Sequence, residues 1–336
     1  MNDLKQDREP LQLSLKGLSN FCELEESLTL IRTHKLYHKV ITTNAFKRLN
    51  GVSFLGAIDY LPCFKSLPKP QRTRSDHSLN VAALAQMIAI KRSYSSELTH
   101  HLVIAGLLHD IGHPPLSHSV EPYLKEKFGF GHHEMGEMIL DGQVSLGKDL
   151  NHLLNKNIDI AFIKSLIDGK ASKVDGGDLF SSKINLDTID GIIRSYSYLN
   201  PRSQAFSTAS VAIASFISDD ANKFEVLDDF WNLKHNIYDY LITSGDGLLA
   251  DVLSQNSIRE GKSTLTTYDL FKRENSWHQK FSHVFSSIYS LSNKSKNTLL
   301  SPEKPLSYTK RKYYIDSKES EINKRYLYTK NKQYLQ

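Results

Sequence analysis

Two runs of apolar residues between positions 79 and 108 dominate the pattern of the chain. Leu79, Val81, Ala82, Leu84, Ala85, Met87 and Ile88 occupy nearly every side of a helix. That predicts burial all round rather than one wet face. Asp76 stands ahead of the run as a candidate cap, with Arg74 in the loop before it and His77 at the helix start. The polar stretch 91–97 interrupts the pattern. A second helix is predicted from near Leu98 through Leu102, Val103, Ile104, Ala105, Leu107 and Leu108. It ends at His109 and Asp110, where Gly112 and the pair Pro114 and Pro115 break it.

Helical periodicity predicts further helices over 118–128, with Pro122 in the first turn, and from 132 onward. An amphipathic segment covers 158–167, and helices follow over 184–198, 206–217 and 224–242. In the last of these, Phe230, Trp231, Leu233, Ile237, Tyr238 and Leu241 are chiefly core. Residues 1–20 read as irregular chain, the mixed spacing of 21–37 leaves its type open, and the three prolines in 60–73 predict a loop. From 291 onward the helix signal fades. LSYTKRKYYID and NKRYLYTKNKQYL alternate basic and aromatic residues, which predicts a terminal β-ribbon. The expected fold is all-α, a helical bundle with a small C-terminal β element. Its expected parts are an N-terminal extension (1–40), a main domain (41–290) and a basic, aromatic C-terminal segment (291–336).

Composition adds few constraints. The chain has 336 residues, 40% hydrophobic and 24% charged, enough for a substantial core. Cys22 and Cys63 are the only cysteines, so no disulfide framework is implied. A polar N-terminus and the lack of a bilayer-length apolar run lead to the expectation of a cytoplasmic protein with no membrane association. Charge changes the picture more. Residues 291–336 carry eleven Lys or Arg against four Asp or Glu, so of the net +5 this segment holds +7 and the rest of the chain −2. That asymmetry points to a local anionic partner. Basic and aromatic interleaving suits nucleic acid or a regulatory nucleotide, and equally a docked hairpin with solvated lysines.

The chemistry concentrates in LLHDIGHPPLSH, residues 107–118. An adjacent imidazole and carboxylate at a helix end can clamp one cation from two sides and leave it open to water. A lone His-Asp pair is usually a buried histidine beside a capping aspartate. Here eight of the fourteen histidines (His77, His100, His101, His109, His113, His118, His132 and His133) fall within about a sixth of the chain. A His and Asp donor set suits Mn, Fe, Co, Ni or Zn, with Mg as a further candidate.

Four motifs, in order, resemble the HD-domain phosphohydrolase superfamily, in particular its deoxynucleoside triphosphate triphosphohydrolase branch. They are Arg74-Ser75-Asp76-His77-Ser78, the His109-Asp110 doublet inside HDIGHPPLSH, His133-Glu134, and Asp187-Thr188-Ile189-Asp190. Phe46, Arg48 and Leu49 match a further family segment. The resemblance implies an HD-domain helical bundle holding one divalent metal, with two possible, on His77, His109, Asp110 and Asp187. It implies that His113 and His133 flank the substrate phosphate as proton donors, with Glu121 orienting His113. Arg74, His118 and Lys234 would meet the remaining phosphate charge. Asp190 and Arg194 share a helix face with Asp187 and would brace it. The implied partners are a nucleotide substrate and further copies of the chain as a homo-oligomer. The implied reaction is attack on the α-phosphorus, releasing deoxynucleoside and tripolyphosphate.

The chain departs from the family at three places. Phe54 replaces a base-reading Gln; it can stack on a base or fill the core, but it cannot make an amide's hydrogen bonds. Gly191 and Ser195 stand where the branch commonly has Tyr and Asp to read the sugar. Two other functions therefore stay open. One is an HD-type phosphodiesterase, nuclease or nucleotidase whose second ion uses His113, His132 and His133. The other is a non-catalytic nucleotide or nucleic-acid sensor that works through the basic tail.

Overall fold

The computed structural model describes residues 15–64, 72–200, 206–292 and 306–335. Most of the irregular segment expected at the N-terminus and residues 65–71 of the expected loop lie outside these. The chain opens with Leu15–Thr33 (α1), Lys35–Thr42 (α2) and Asn44–Arg48 (α3). Arg74–Lys91 (α4) and Ser96–Leu108 (α5) form the central pair. Glu121–Phe128 (α6), His132–Leu140 (α7), Lys148–Asn155 (α8), Ile160–Ile167 (α9) and Asp178–Ser181 (α10) follow. Then come Leu186–Leu199 (α11), Thr208–Phe216 (α12), Lys223–Ile237 (α13), Gly245–Glu260 (α14), Thr267–Leu270 (α15), Glu274–Lys280 (α16) and Ser282–Tyr289 (α17). Two antiparallel strands, Leu306–Ile315 (β1) and Tyr326–Leu335 (β2), close the chain around the short turn Ile322–Arg325 (α18). The fold is all-α with one hairpin, as the periodicity predicts. Among the described residues no helix is long and apolar enough to cross a membrane.

Helix α4 is the axis. Every residue from Val81 to Ala89 is buried, and α1, α5, α11 and α12 pack around it. Its cap is Thr73, whose hydroxyl accepts from the Asp76 N–H, rather than Asp76 itself. Arg74 is therefore the first residue of the helix and not part of the preceding loop. Gly106 sets the distance between α4 and α5, because a Cβ there would stand 2.8 Å from the Ala82 Cα. With no side chain in the way, the two backbones touch.

The N-terminal region differs from its reading as irregular or undecided chain. Helix starts at Leu15, and Leu24, Leu28, Ile31, Tyr37 and Val40 are buried in the same core as α4. Apolar residues spaced three or four apart along α1 find their partner only in the tertiary fold.

Two buried charges hold the segment after α5 in place. The Arg48 guanidinium is 2% exposed and donates to the carbonyls of Ile111 and His113, each at 2.6 Å. Burial, and then the nearby Arg273 charge, pull it down to about 10. Glu274 arrives from the far end of the chain. Its carboxylate accepts from the Leu116 N–H at 2.9 Å, the Ser53 N–H at 2.9 Å, the Ser53 hydroxyl at 2.6 Å and the Tyr60 hydroxyl. Leu116 and Ser117 both have positive φ (61° and 46°), a conformation that L residues with side chains seldom adopt. Glu274 supports that strained turn, which delivers His118.

Arg48→Met removes both donors from the Ile111 and His113 carbonyls. A destabilisation of about 2–4 kcal/mol is expected, read as a lower urea midpoint with an unchanged slope. A loss below about 0.5 kcal/mol would mean that those carbonyls find other partners.

Candidate metal centre

The first turn of α4, the end of α5 and the first turn of α11 converge on one point. His77, completely buried on α4, donates from Nδ1 to Asp190 Oδ2 at 2.6 Å. Asp190 is itself clamped by Arg194 Nε at 2.8 Å. His109, the residue that closes α5, donates from Nδ1 to the Gly106 carbonyl at 2.8 Å. With both Nδ1 protons committed, the two Nε2 atoms carry lone pairs. They face one another at 3.2 Å. Asp187 Oδ1 adds a third donor, 3.0 Å from His77 Nε2 and 3.8 Å from His109 Nε2.

Two nitrogens so close need a proton or a metal ion between them, and a divalent cation bound here would replace the proton. Neighbouring ligands of an ion held at about 2.1 Å stand roughly 3.0–3.4 Å apart, and two of these three separations fall in that range. Burial works against a charge on His109. Asp110 and Asp187 outweigh it, and its imidazole is pushed up to about 9. His77, His109 and Asp187 could therefore hold a divalent ion. Asp187, with its side chain 56% exposed, is the open corner.

Asp110 is close but divided. It lies 3.6 Å from Nε2 of both His77 and His109, while Arg74 takes Oδ2 at 2.7 Å and His113 Nε2 lies 3.2 Å from Oδ1. Burial would raise its pKa, but Arg74, His109 and His113 hold it well below the usual carboxylate range. Arg74 is consequently occupied. Buried at 4% exposure, it pairs with Asp110, donates to Ser117 Oγ at 3.1 Å and lies on the Phe54 ring. It is not a free phosphate ligand beside the helix.

A second group of histidines lies on the other side of Asp110, arranged differently from the expectation. Glu121 does not orient His113. Its two oxygens accept from His118 Nδ1 at 3.1 Å and His132 Nδ1 at 2.9 Å, with Lys125 at 3.0 Å. Burial would raise its pKa, yet these hydrogen bonds hold the carboxyl far below its ordinary value. His113 is fully buried. Burial and the Arg74 charge, only partly opposed by Asp110, keep its imidazole well below 6.5. Its Nδ1 has no hydrogen-bond partner. His113, His118 and His132 can each turn a ligand atom into one small space, all within 4.8 Å of one another.

The His132-His133 doublet is also read differently by the fold. His132 stacks on His113 at 4.2 Å, while His133 is exposed. His133 still borders a crevice of about 20 Å³ with His109 and His132, room for roughly one water. Helix phase held the signal that was missed. Met135, Gly136 and Ile139, at three, four and seven after His132, are the buried residues of α7. Gly112 makes the approach possible, since a Cβ there would stand 2.0 Å from the His132 carbonyl.

The remaining expected site residues separate into two groups. Phe54 is 6% exposed and packs 4.9 Å from the His77 ring, so it supports the site from below and does not face a substrate. Ser195 is buried and donates to the Gly191 carbonyl on its own helix, leaving neither position to read a sugar. Lys234 is half-buried over the Trp231 ring at 4.6 Å and the Tyr313 ring at 5.3 Å. Burial pulls its ammonium down to about 8, although Asp187 acts the other way.

Comparison with known proteins agrees with this geometry. Residues 74–158 match the model of the HD domain family. An HD domain-containing protein of Acanthamoeba polyphaga mimivirus, L394, is 29% identical over 217 residues, covering 57% of this chain and 46% of the relative. The deoxynucleoside triphosphate triphosphohydrolase SAMHD1 homolog of Dictyostelium discoideum is 25% identical over 242 residues, covering 64% of this chain and 45% of the relative. A deoxyguanosinetriphosphate triphosphohydrolase-like protein of Caldanaerobacter subterraneus is 33% identical over 107 residues, covering 31% and 30%. The chain thus spans less than half the length of these relatives. HD domains bind divalent metals, and the histidine and aspartate group found here lies within the matched segment apart from Asp187. Residues 74–158 thus form an HD domain, and the relatives that the chain resembles include proteins named as deoxynucleoside triphosphate triphosphohydrolases.

Proposed function

We propose that the chain is a metal-dependent phosphohydrolase acting on deoxynucleoside triphosphates and releasing deoxynucleoside and tripolyphosphate. The observation that carries this reading is the pair of His77 and His109 Nε2 lone pairs facing at 3.2 Å beside the exposed Asp187. A divalent ion held by His77, His109, Asp187 and the flanking Asp110 would draw charge from a phosphoryl oxygen and acidify water.

The chain's own residues do the rest. Asp190 and the Gly106 carbonyl fix the tautomers of the two histidine ligands. Asp110 with Arg74 keeps the floor of the site charged but internally paired. His118, 62% exposed at the side chain, is the proton donor to the leaving oxygen; burial lowers its imidazole below 6.5, and the hydrogen bond to Glu121 works against that fall. It takes the role that the resemblance gave to His113 and His133. Water adds to phosphorus, the bond to the 5′ oxygen breaks, and that oxygen receives the His118 proton. Lys234 supplies positive charge on the Asp187 side.

A second reading has its own support. His118 and His132 give their Nδ1 protons to Glu121, and the buried His113 Nδ1 has no partner. Three lone pairs are then available for a second ion, as a phosphodiesterase or nuclease would use. Metal analysis separates the two: one ion per chain fits the triphosphohydrolase, two the diesterase.

Incubation with Mn and each dNTP, each NTP and a generic phosphodiester should give tripolyphosphate from dNTPs only, with no product after chelation or in Asp110→Ala. Asp110-dependent cleavage of the diester alone would replace the first reading by the second. Asp190→Asn should weaken metal binding about 10- to 100-fold by titration, with the fold retained; unchanged affinity would remove the tautomer argument. Glu121→Gln withdraws the carboxylate that favours protonated His118, so His118 gives up its proton more readily. The alkaline fall of kcat should therefore begin at lower pH in the variant. A profile that does not move excludes His118 as the donor.

A further inference from the structure

The C-terminal hairpin is docked at a defined place. Trp231 Nε1 donates to the Tyr314 carbonyl at 3.1 Å, and the Trp231 ring meets Tyr313 and Tyr326 at 5.3 and 5.2 Å. Arg325 and the Tyr326 hydroxyl both bind Asp228 on α13. Tyr313 and Tyr326 are buried by this contact. Alternation along the strands then places Arg311 and Tyr313 with Tyr328 and Lys330 on one hairpin face, where Lys183, from the segment leading into the Asp187 helix, lies over the Tyr328 ring.

On that face, cations collect without counter-charges. Tyr238, Tyr313 and Tyr328 form one aromatic patch, with Tyr313 5.0 Å from Tyr238 and 5.8 Å from Tyr328. Lys234 lies over Tyr313, Lys183 over Tyr328 at 5.0 Å, Arg311 over Tyr238 at 5.4 Å, and Lys330 over Tyr328 at 5.7 Å. Arg311 and Lys330 are direct cross-strand partners, an arrangement in which like charges repel. Among the described residues, none of the four has a carboxylate within ion-pair distance, whereas neighbouring Lys310 and Arg325 each have one. Arg311 meets tyrosine hydroxyls, that of Tyr238 at 3.2 Å and that of Tyr313. Lys183, Lys234 and Arg311 are half-buried, where an unneutralised charge is costly. Lys183 stands just before α11, whose first turn carries Asp187, and α13 with Lys234 packs against α11, so the group borders the open corner of the metal centre.

The geometry points to a seat for the outer phosphates of a polyphosphorylated small molecule, formed by Lys183, Lys234, Arg311 and Lys330 where the hairpin meets α13. The choice of ligand rests on the reading of the metal centre as the place of the inner phosphate. The cation cluster itself does not depend on that reading. Four positive groups beside one exposed carboxylate match a chain of linked phosphates better than a single one. The hairpin thereby becomes part of the substrate site rather than a separate nucleic-acid arm.

The full chain is titrated in EDTA with inorganic tripolyphosphate, orthophosphate and a single-stranded oligonucleotide, as wild type, Lys234→Gln, Arg311→Gln and Lys312→Gln. Lys312 is exposed on the opposite hairpin face and controls for net charge. Tripolyphosphate affinity should fall about 10- to 100-fold in Lys234→Gln and Arg311→Gln, one charge-assisted contact each, and hold in Lys312→Gln. Orthophosphate should change far less. No measurable tripolyphosphate binding, equal losses in all three variants, or an oligonucleotide that responds to Arg311 when tripolyphosphate does not, each overturns the seat. Thermal melts verify folding, and Lys330→Gln, exposed on the same hairpin face, serves if Lys234→Gln melts early. Turnover with Mn separates the two claims. A wild type that binds tripolyphosphate through Arg311 but hydrolyses no dNTP keeps the seat and loses the hydrolase; dNTP turnover with Arg311-independent binding does the reverse.

Discussion

Contact between the backbones of α4 and α5 at Gly106 and Ala82 is the constraint on which the site depends. A Cβ at Gly106 would stand 2.8 Å from the Ala82 Cα, so any larger residue must push the helices apart. The distance matters because His77, before Ala82 on α4, and His109, after Gly106 on α5, lie together at one end of this contact region. Their Nε2 atoms can face at 3.2 Å only if the helices stay pressed together. The apolar girdle of α4 supplies the pressure, about 1.5–3 kcal/mol for each large side chain removed from water. Core packing and metal chemistry are one arrangement here, since the helices that bury Val81 to Ala89 also carry the ligands.

Around that contact the protein buries more charge than a stable core requires. Arg74 with Asp110, Arg194 with Asp190, Arg48 on two carbonyls and Glu274 on two backbone N–H groups are all internal. Buried ion pairs are weak contributors to stability, because desolvation offsets most of the attraction. Their common property is direction. Each fixes a ligand, a tautomer or the strained turn at Leu116 and Ser117. Glu274 is instructive, since one carboxylate links the last helical hairpin to the segment that presents His118.

The site has a closed side and an open side. His113, Arg74 and Phe54 fill the closed side, where solvent is excluded. Asp187, His118 and His133 face outward. In the proposed seat, Arg311 and Lys330 of the hairpin bring positive charge to the Asp187 side. Gly191 carries no side chain over the Phe54 ring, and Ser195 turns onto its own helix.

Local pattern was enough to predict the all-α class, the central helices, the hairpin, and the types of residue that make the metal centre. Periodicity and motif spacing are properties of short stretches, and His77, His109 and Asp187 each lie at a helix end that those stretches define. Even the inward face of His132 was available from the phase of Met135, Gly136 and Ile139. Other features depended on the tertiary structure. The resemblance implied that Glu121 orients His113, yet it binds His118 and His132, while His113 is held by Asp110. Arg74 resembled a free phosphate ligand until Asp110, 36 positions away, came within 2.7 Å. The N-terminal helix had no decided type until α4 covered its apolar stripe. Who neutralises whom is settled by contacts between residues far apart in the chain. A buried charge takes the nearest partner that packing provides, and sequence spacing alone carries no record of that distance.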